Sequence, residues 1–386
     1  MPDPAPFRFH RRVPAPVVIV SPLMPPAPGG LADHTSNLAA TLAGHRDVQV
    51  LTSSCAAPDS RFEVRAEVAD WHDSAEVEAA VGACAPGAAL LWQYVPHMYG
   101  RGGVNRAVPN LVERFRRQGR RQVLIAHEIM APLHWKPHWL AYALWHRWAW
   151  KRIRRSVDAI GVSTEGWIAK WRSHWADVPG GDVFLLPSPS NFPVMPVPPD
   201  HRTRWKAELG LPPETTVLAY FGTLNAAKQP DWVFAAWRAA RSAGIPTALA
   251  VIGGKPSPVL SQEEAPFYRP LGFLDAASVS RALQAVDLLL LPFSDGVAER
   301  RTTITAGLAH GTPILTTVGP STGETLRAAR FLRSVDAADP RAYQKEAVRL
   351  LASAPERLGI SHLAKEAYRD AYSWDVVAQR LLVRLP

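Results

Sequence analysis

The sequence predicts an α/β protein made of two doubly wound domains that face each other across a cleft. Three observations predict it. The chain has 386 residues, too many for one ordinary hydrophobic core. Short, nearly continuous apolar runs alternate with longer helical stretches along its length, the pattern of parallel strands covered on both faces. A proline-rich stretch, "PSPSNFPVMPVPPD" at 187–200, divides that series in two.

The first series places strands at 17–20, 48–53, 89–95, 122–127, 159–163 and 183–187. Helical segments such as "ADHTSNLAATLAGH" and "NRAVPNLVERFRRQG" lie between them. The six prolines of 187–200 bar both a helix and a central strand, so this stretch reads as a stiff linker. The second series places strands at 216–222, 247–254, 287–293 and 312–317, with "PDWVFAAWRAARSAG" and "SVSRALQAV" as intervening helices. The expected domains are therefore 1–190 and 200–371. Ligands of such sheets bind at the carboxyl ends of the strands, which puts the expected site in the cleft.

At 47% hydrophobic and 20% charged residues the chain is globular. Its two cysteines, Cys55 and Cys84, cannot build a disulfide framework and form no CxxC pair, which suits a reducing cytosol. No run approaches the roughly 20 apolar residues of a membrane span. The prolines and strand-like "VVIV" of "VPAPVVIVSPLMPPAPGG" read as a first core strand rather than a secretory leader. The expected location is cytoplasmic. A net charge of +9 calls for an anionic partner: nucleic acid, a phospholipid surface or a nucleotide phosphate. No zinc-finger spacing, RNA-binding aromatic motif or dense Lys/Arg run is present, so nucleic acid is not expected.

Three motifs carry chemistry. Gly29-Gly30 lies between the first strand and a helix, where glycines let backbone N–H groups approach a phosphate; a tight turn would need the same residues. The pattern is not GxGxxG. In "YFGTLNAAKQPDWVF", Lys228 follows a strand that ends at Gly222 and precedes a helix that starts near Pro230. There it can act as a point charge on a diphosphate, or be an ordinary solvated lysine. In "DGVAERRTTITAGLAHGTP", Thr302 and Thr303 are expected to cap a helix whose N-terminus favours an anion. Arg300 and Arg301 can add bidentate bonds to phosphate oxygens. Alternatively they pair with the loop acids Asp295 and Glu299. Ala306, Gly307 and Ala309 allow close packing, Gly311 suits a left-handed turn, and Pro313 stops the helix.

The order of these motifs resembles the retaining GT-B glycosyltransferases of glycosyltransferase family 4. The matching parts are "GGLADHTSNLA", "AHE" (126–128), "VSTEGW", "FGTL…K" (221–228), "VIGG", "LGFLD…ALQAVDLLLLPF" and "AGLAHGTPILTT". The late "SWDVVAQRLL" resembles the family's closing helix. The resemblance spans nearly the whole chain. It implies a GT-B fold of two Rossmann-like domains, with residues 372–386 returning to the first. It further implies sugar transfer from a nucleotide diphosphate sugar to a glycan or lipid-linked acceptor, with retention and without a metal or other cofactor. The absence of an Asp-x-Asp motif agrees with the last point.

Carried over by position, Gly29 and Gly30 would approach the donor phosphate. His127 would sit near the reacting sugar, with Glu128 and His97 on the acceptor side. Lys228 would hold the diphosphate, Phe273 and Leu274 would meet the base, and the 302–303 turn would lie under the diphosphate. Two departures stand out. Thr223 replaces the usual arginine after the glycine of "FG", and the Glu-x7-Glu pair is missing, with Ala298 and Ala306 in its slots. Arg300 and Arg301 are then expected to supply the missing charge, and Asp295 and Glu299 are the nearest candidates to hold the ribose. The alanine at 306 also motivates a second reading, a catalytically silent sugar-nucleotide-binding partner. A nucleotide-sugar epimerase would need acids that the 302–310 helix lacks.

One segment stays outside this scheme. "HWKPHWLAYALWHRWAWKRIRRS", 134–156, carries five tryptophans and six Lys/Arg. It reads either as an interfacial helix on an anionic membrane surface, which would make the protein peripheral to the inner face, or as a domain helix. In the second reading Trp139, Ala143, His146, Trp150 and Ile153 pack inward and the basic residues are solvated.

Overall fold

The computed structural model describes residues 15–99, 104–133, 135–170, 176–223, 226–254 and 259–385. The first domain holds β1 (Val17–Val20), β2 (Val48–Ser53), β3 (Glu63–Val68), β4 (Ala89–Tyr94), β5 (Gln122–Ala126), β6 (Ala159–Val162) and β7 (Asp182–Leu185). They form a seven-stranded sheet in the order β3-β2-β1-β4-β5-β6-β7, with every pair parallel. Helices α1 (Gly30–Ala43), α2 (Ser74–Gly82), α3 (Ala107–Arg117), α4 (Pro137–Arg154) and α5 (Glu165–Lys170) make the crossovers.

The second domain holds β8 (Thr216–Phe221), β9 (Thr247–Ile252), β10 (Tyr268–Gly272), β11 (Leu288–Leu291), β12 (Ile314–Val318) and β13 (Arg333–Asp336). Its parallel sheet runs β10-β9-β8-β11-β12-β13. Around it lie α6 (His201–Glu208), α7 (Pro230–Ser242), α8 (Ala276–Ala285), α9 (Thr302–His310), α10 (Glu324–Arg327), α11 (Pro340–Leu351) and α12 (Ala354–Ala367). The fold is that of two doubly wound Rossmann-like domains. In each sheet the strand order reverses once, between β1 and β4 and between β8 and β11, and it is there that crevices open at the carboxyl ends.

Three strands escape the apolar-run criterion, namely β3 "EVRAEV", β10 "YRPLG" and β13 "RSVD". All are sheet edges, which need little apolar character and tolerate Pro270. The central strands are fully buried "VVIV", "ALLWQY", "TALAVI" and "LLLL".

A π turn at Tyr368–Tyr372 ends α12 and redirects the chain into α13 (Trp374–Leu382). That helix packs on the first domain, where Val377, Ala378 and Leu381 join Leu38 and Leu42 of α1 in one core. Trp374 Nε1 donates to the Ser190 carbonyl at 2.8 Å, and Arg384 pairs with Asp182 at 2.8 Å. In α9 a Cβ at Gly307 would fall 2.8 Å from Ile314 Cδ1, which shows how closely the helix rides on its sheet.

Helix α4 buries Ala143, His146, Ala149, Trp150 and Ile153. Trp139 shares the inward stripe but is 48% exposed, because it stands in the first turn of α4, where every residue from 135 to 141 is exposed. Among the described residues no helix is long and apolar enough to cross a membrane.

Candidate active site

The cleft between the domains encloses a cavity of about 260 Å³, lined by Gly30, Leu31, His34, Val95, His127, Glu128 and Ser163, the linker residue Ser188, and Arg300 and Thr302. On the first-domain side, Gly29 holds φ 125°, a conformation that only glycine adopts at ease, and α1 begins at Gly30 without a side-chain cap. The helix start therefore offers uncapped N–H groups to the cavity. One turn later His34, almost fully buried, faces the same space.

His127 follows the last residue of β5. Its Nε2–H donates to Oε1 of Gln93, whose amide nitrogen donates to Nδ1 of His34 at 3.2 Å. This chain sets both tautomers, with the proton on Nε2 in each ring. Burial pulls His127 down to about 4. It also holds His34 well below the ordinary histidine value, with the neighbouring His127 a lesser cause. Both rings are therefore neutral near pH 7 and able to donate and accept hydrogen bonds. Glu128 stands exposed at the cavity edge. His97 does not line the cavity: it bonds the Tyr142 hydroxyl, stacks on that ring at 5.4 Å and meets His146 edge-on.

On the second-domain side, Gly222 follows the last residue of β8 with φ 121°. A Cβ there would fall 2.9 Å from Lys228 Nζ and 3.2 Å from Thr303 Cγ2, so the lysine and the start of α9 meet over a glycine. Lys228 Nζ donates to Thr223 Oγ1 at 3.3 Å. Thr223 thus steadies the lysine rather than supplying a cation of its own. Burial, and next the charge of Arg301, lower the Lys228 pKa.

The loop from Phe293 to Arg301 runs from β11 to α9. Thr302 and Thr303 do not cap that helix: Arg301 occupies the cap position, without a side-chain hydrogen bond, and Thr302 is the first helical residue. The threonines follow the turn by one place, which leaves the N-terminal amides of α9 uncapped. The arginines do pair with a loop acid. Asp295 accepts from Arg300 Nη2 at 3.0 Å, from Arg301 Nη2, and from Ser321 Oγ at 3.0 Å. Arg301 lies over the Phe293 ring at 3.8 Å, and burial brings its guanidinium down to about 10. Arg300 packs over Trp167 of the first domain at 5.8 Å, and its buried Nε–H meets no acceptor among the described residues.

Both loop acids have protein partners in this structure. Asp295 is committed to the two arginines. Glu299 is only 1% exposed; its Oε2 accepts the Glu165 N–H across the domain boundary at 3.2 Å, and its carbonyl accepts the Ser188 N–H at 3.1 Å. Burial pushes its carboxyl up to about 7. Glu165 in turn binds the Thr325 N–H and hydroxyl at 2.9 and 3.0 Å. Ala306 is wholly buried in the second core. Phe273 stands 78% exposed, Leu274 packs beneath that core, and neither lines the cavity.

Arg300 and Arg301 thus share one carboxylate at the start of α9, and Lys228 stands near enough to Arg301 and Thr303 to feel the first and touch the second, while Arg300 and the uncapped start of α1 face the cavity itself. Such a place favours an anion with more than one charge. His34 and Gln93 escape a reading by strand ends. His34 lies four residues after Gly30 on one helix face, and Gln93 is the lone polar residue in "ALLWQY". Those two facts are the only local trace of the pair.

Residues 215–353 match the family model described as "Glycosyl transferases group 1". No curated protein matches the chain significantly. Three solved structures of similar fold are each covered almost end to end. WaaG, a glycosyltransferase involved in lipopolysaccharide biosynthesis, is 18% identical with a TM-score of 0.64, over 96% of this chain and 99% of its own. Sucrose-phosphate synthase from Thermosynechococcus elongatus is 16% identical with a TM-score of 0.68, over 95% and 97%. Anabaena HepE, solved in complex with UDP and glucose, is 13% identical with a TM-score of 0.64, over 96% and 98%.

Proposed function

We propose that this chain, a GT-B-fold protein whose second domain belongs with the glycosyl transferases of group 1, transfers a sugar from a nucleotide diphosphate sugar to a glycan or lipid-linked acceptor. The observation that carries the reading is the meeting of Lys228 with the uncapped start of α9 over Gly222, beside Arg300 and Arg301. Lys228 is held at a lowered pKa by burial and a neighbouring cation, a cost that a bound diphosphate would relieve. The UDP in the HepE structure is the kind of group this cluster suits.

In the proposed reaction the bond from the anomeric carbon to the β-phosphate oxygen breaks, and negative charge collects on the leaving nucleoside diphosphate. Lys228, Arg300 and the amides of α9 meet that charge without reorganising, which is the largest source of catalysis open to such a site. The acceptor hydroxyl adds to the same face, and its proton passes to the departing phosphate oxygen, so configuration is retained and no strong protein base is needed. His127, neutral near pH 7, positions the sugar by hydrogen bonds. No metal or other cofactor is assigned a role. A cytoplasmic setting accords with a sugar-nucleotide donor and with two free thiols.

The test is a thermal-shift screen of nucleotide sugars followed by turnover assays. A true donor at 100 times its Kd adds about 2.7 kcal/mol of stability. Lys228→Ala should cut turnover about a hundredfold or more while the unfolding curve of the free protein keeps its shape. Binding without hydrolysis or transfer of any donor would instead favour the silent sugar-nucleotide-binding partner, the reading to which Ala306 and the committed Asp295 lend support.

A further inference from the structure

Between Ile129 and Val157 the sequence contains no acidic residue and six basic ones. The fold uses only one side of this segment: the inward stripe of α4, with Trp150 and Ile153, completes the first core. The outer side carries Leu140, Leu144 and Trp148 at helical spacing, and the same stripe continues into Lys151 and Arg155. Beside its N-terminal end, Leu133 is 60% and Trp135 81% exposed, and Leu144 is 53% exposed. Apolar groups thus collect at one end of the outer face and cations at the other.

The cationic end is enlarged by α3. Arg116, Arg117, Arg152 and Arg155 line a basin of about 640 Å³; Glu113 pairs with Arg117 and Arg152, Asp158 with Arg116 and Asp177 with Arg155, so four cations there face three carboxylates, and Lys151 adds a further cation beside them. Arg152 also covers the Trp148 ring at 5.1 Å, joining the aromatic and basic parts. We infer that this outer face of α4 docks on an anionic lipid surface. Tryptophan has an apolar body and a polar N–H, which suits the boundary between headgroups and acyl chains. The arginine basin suits the lipid phosphates above it. A second copy of the chain fits less well, because a two-fold contact would bring like-charged basins together. The docked face joins the cleft directly: Glu128 at the cavity edge and Leu133 and Trp135 on the docking face belong to the one connector from β5 to α4. A lipid-linked acceptor would then arrive beside the cavity, although the docking itself does not depend on any transfer reaction.

The test uses the full chain with two kinds of vesicle, phosphatidylcholine mixed with phosphatidylglycerol, and phosphatidylcholine alone. Binding is read by co-sedimentation and by the tryptophan emission maximum, at low and at physiological salt. The expected result is binding to the mixed vesicles with a blue shift, weakened by salt. The pair Trp135→Ser/Trp148→Ser should lower binding about tenfold or more and abolish the blue shift. The pair Lys151→Gln/Arg155→Gln should lower it by a similar factor and flatten the salt dependence. Unfolding temperatures of both pairs should match the parent's. Absence of binding to the mixed vesicles, equal binding to phosphatidylcholine alone, or parental binding by both pairs overturns the inference. So does self-association in sedimentation velocity that the tryptophan pair abolishes while vesicles remain unbound.

Discussion

Gln93 is a fully buried amide in an otherwise apolar strand, and both ends of it are used. Replacing it by leucine keeps the size but leaves His127 without its acceptor and His34 without its donor. Gln93→Leu should cost about 1–3 kcal/mol of stability, measured by chemical denaturation. It should also lower turnover, because the His127 ring loses the partner that fixes its orientation. This network also shows what a sequence conceals. His127 and Lys228 could be picked out because each follows a strand end at the carboxyl edge of its sheet. Gln93 and His34 are 59 residues apart, and nothing local records their pairing. The surroundings of the loop acids were half legible: pairing with the arginines was one of the two expected readings and holds for Asp295, whereas Glu299 meets the Glu165 amide, a partner that nothing local records.

The loop from Phe293 to Arg301 is an element without regular structure that is fixed from both sides. Val297 N–H donates to the Thr317 carbonyl at 2.7 Å, and Ser321 N–H to the Asp295 carbonyl at 2.8 Å. Gly296 makes this seating possible. It holds φ 87°, and a Cβ there would stand 2.2 Å from the Gly319 nitrogen, a backbone atom that cannot swing aside. Gly296→Ala combines left-handed strain with overpacking and should destabilise by roughly 3 kcal/mol or more. It should weaken donor binding as well, since the loop sets Arg300 and Arg301. Denaturation and a nucleotide titration would check the two effects. Among the elements, buried central strands were legible from their continuous apolar runs, while β3, β10 and β13 were not, because edges carry charge and proline. The type of α9 and its stop at Gly311, φ 65°, were legible too. Its first residue was not, since "RRTT" offers four adjacent places for a cap and only tertiary packing chooses Arg301.

At the scale of the molecule, the two domains are latched by carboxylates. Glu299 reaches the Glu165 amide, and Glu165 reaches Thr325. Burial raises Glu299 from 4.5 to about 7, so the folded chain keeps a proton that the unfolded chain releases. Stability from this group is therefore full below about pH 4.5 and is lost as pH rises toward 7, by a total on the order of 3 kcal/mol. Glu299→Gln keeps an acceptor for the Glu165 N–H and removes the titration. Its melting temperature should equal the parent's near pH 5 and exceed it near pH 8; equal curves at both would refute the assignment. Two domains and their cleft could be seen from the linker and the two strand series, yet the latch joins residues on opposite sides of that linker and leaves no mark on either series. The returning helix α13 has a consequence of another kind, in time. Arg380 of α13 donates to the Leu185 carbonyl of β7 across a separation of 195 residues, and its neighbours Val377 and Leu381 close the core of the first domain. At a synthesis rate of roughly 5–20 residues per second, the first domain leaves the ribosome about 10–40 seconds before the helix that seals it. Through that interval its newborn sheet carries an uncovered apolar flank, and chaperones have a defined window in which to hold it.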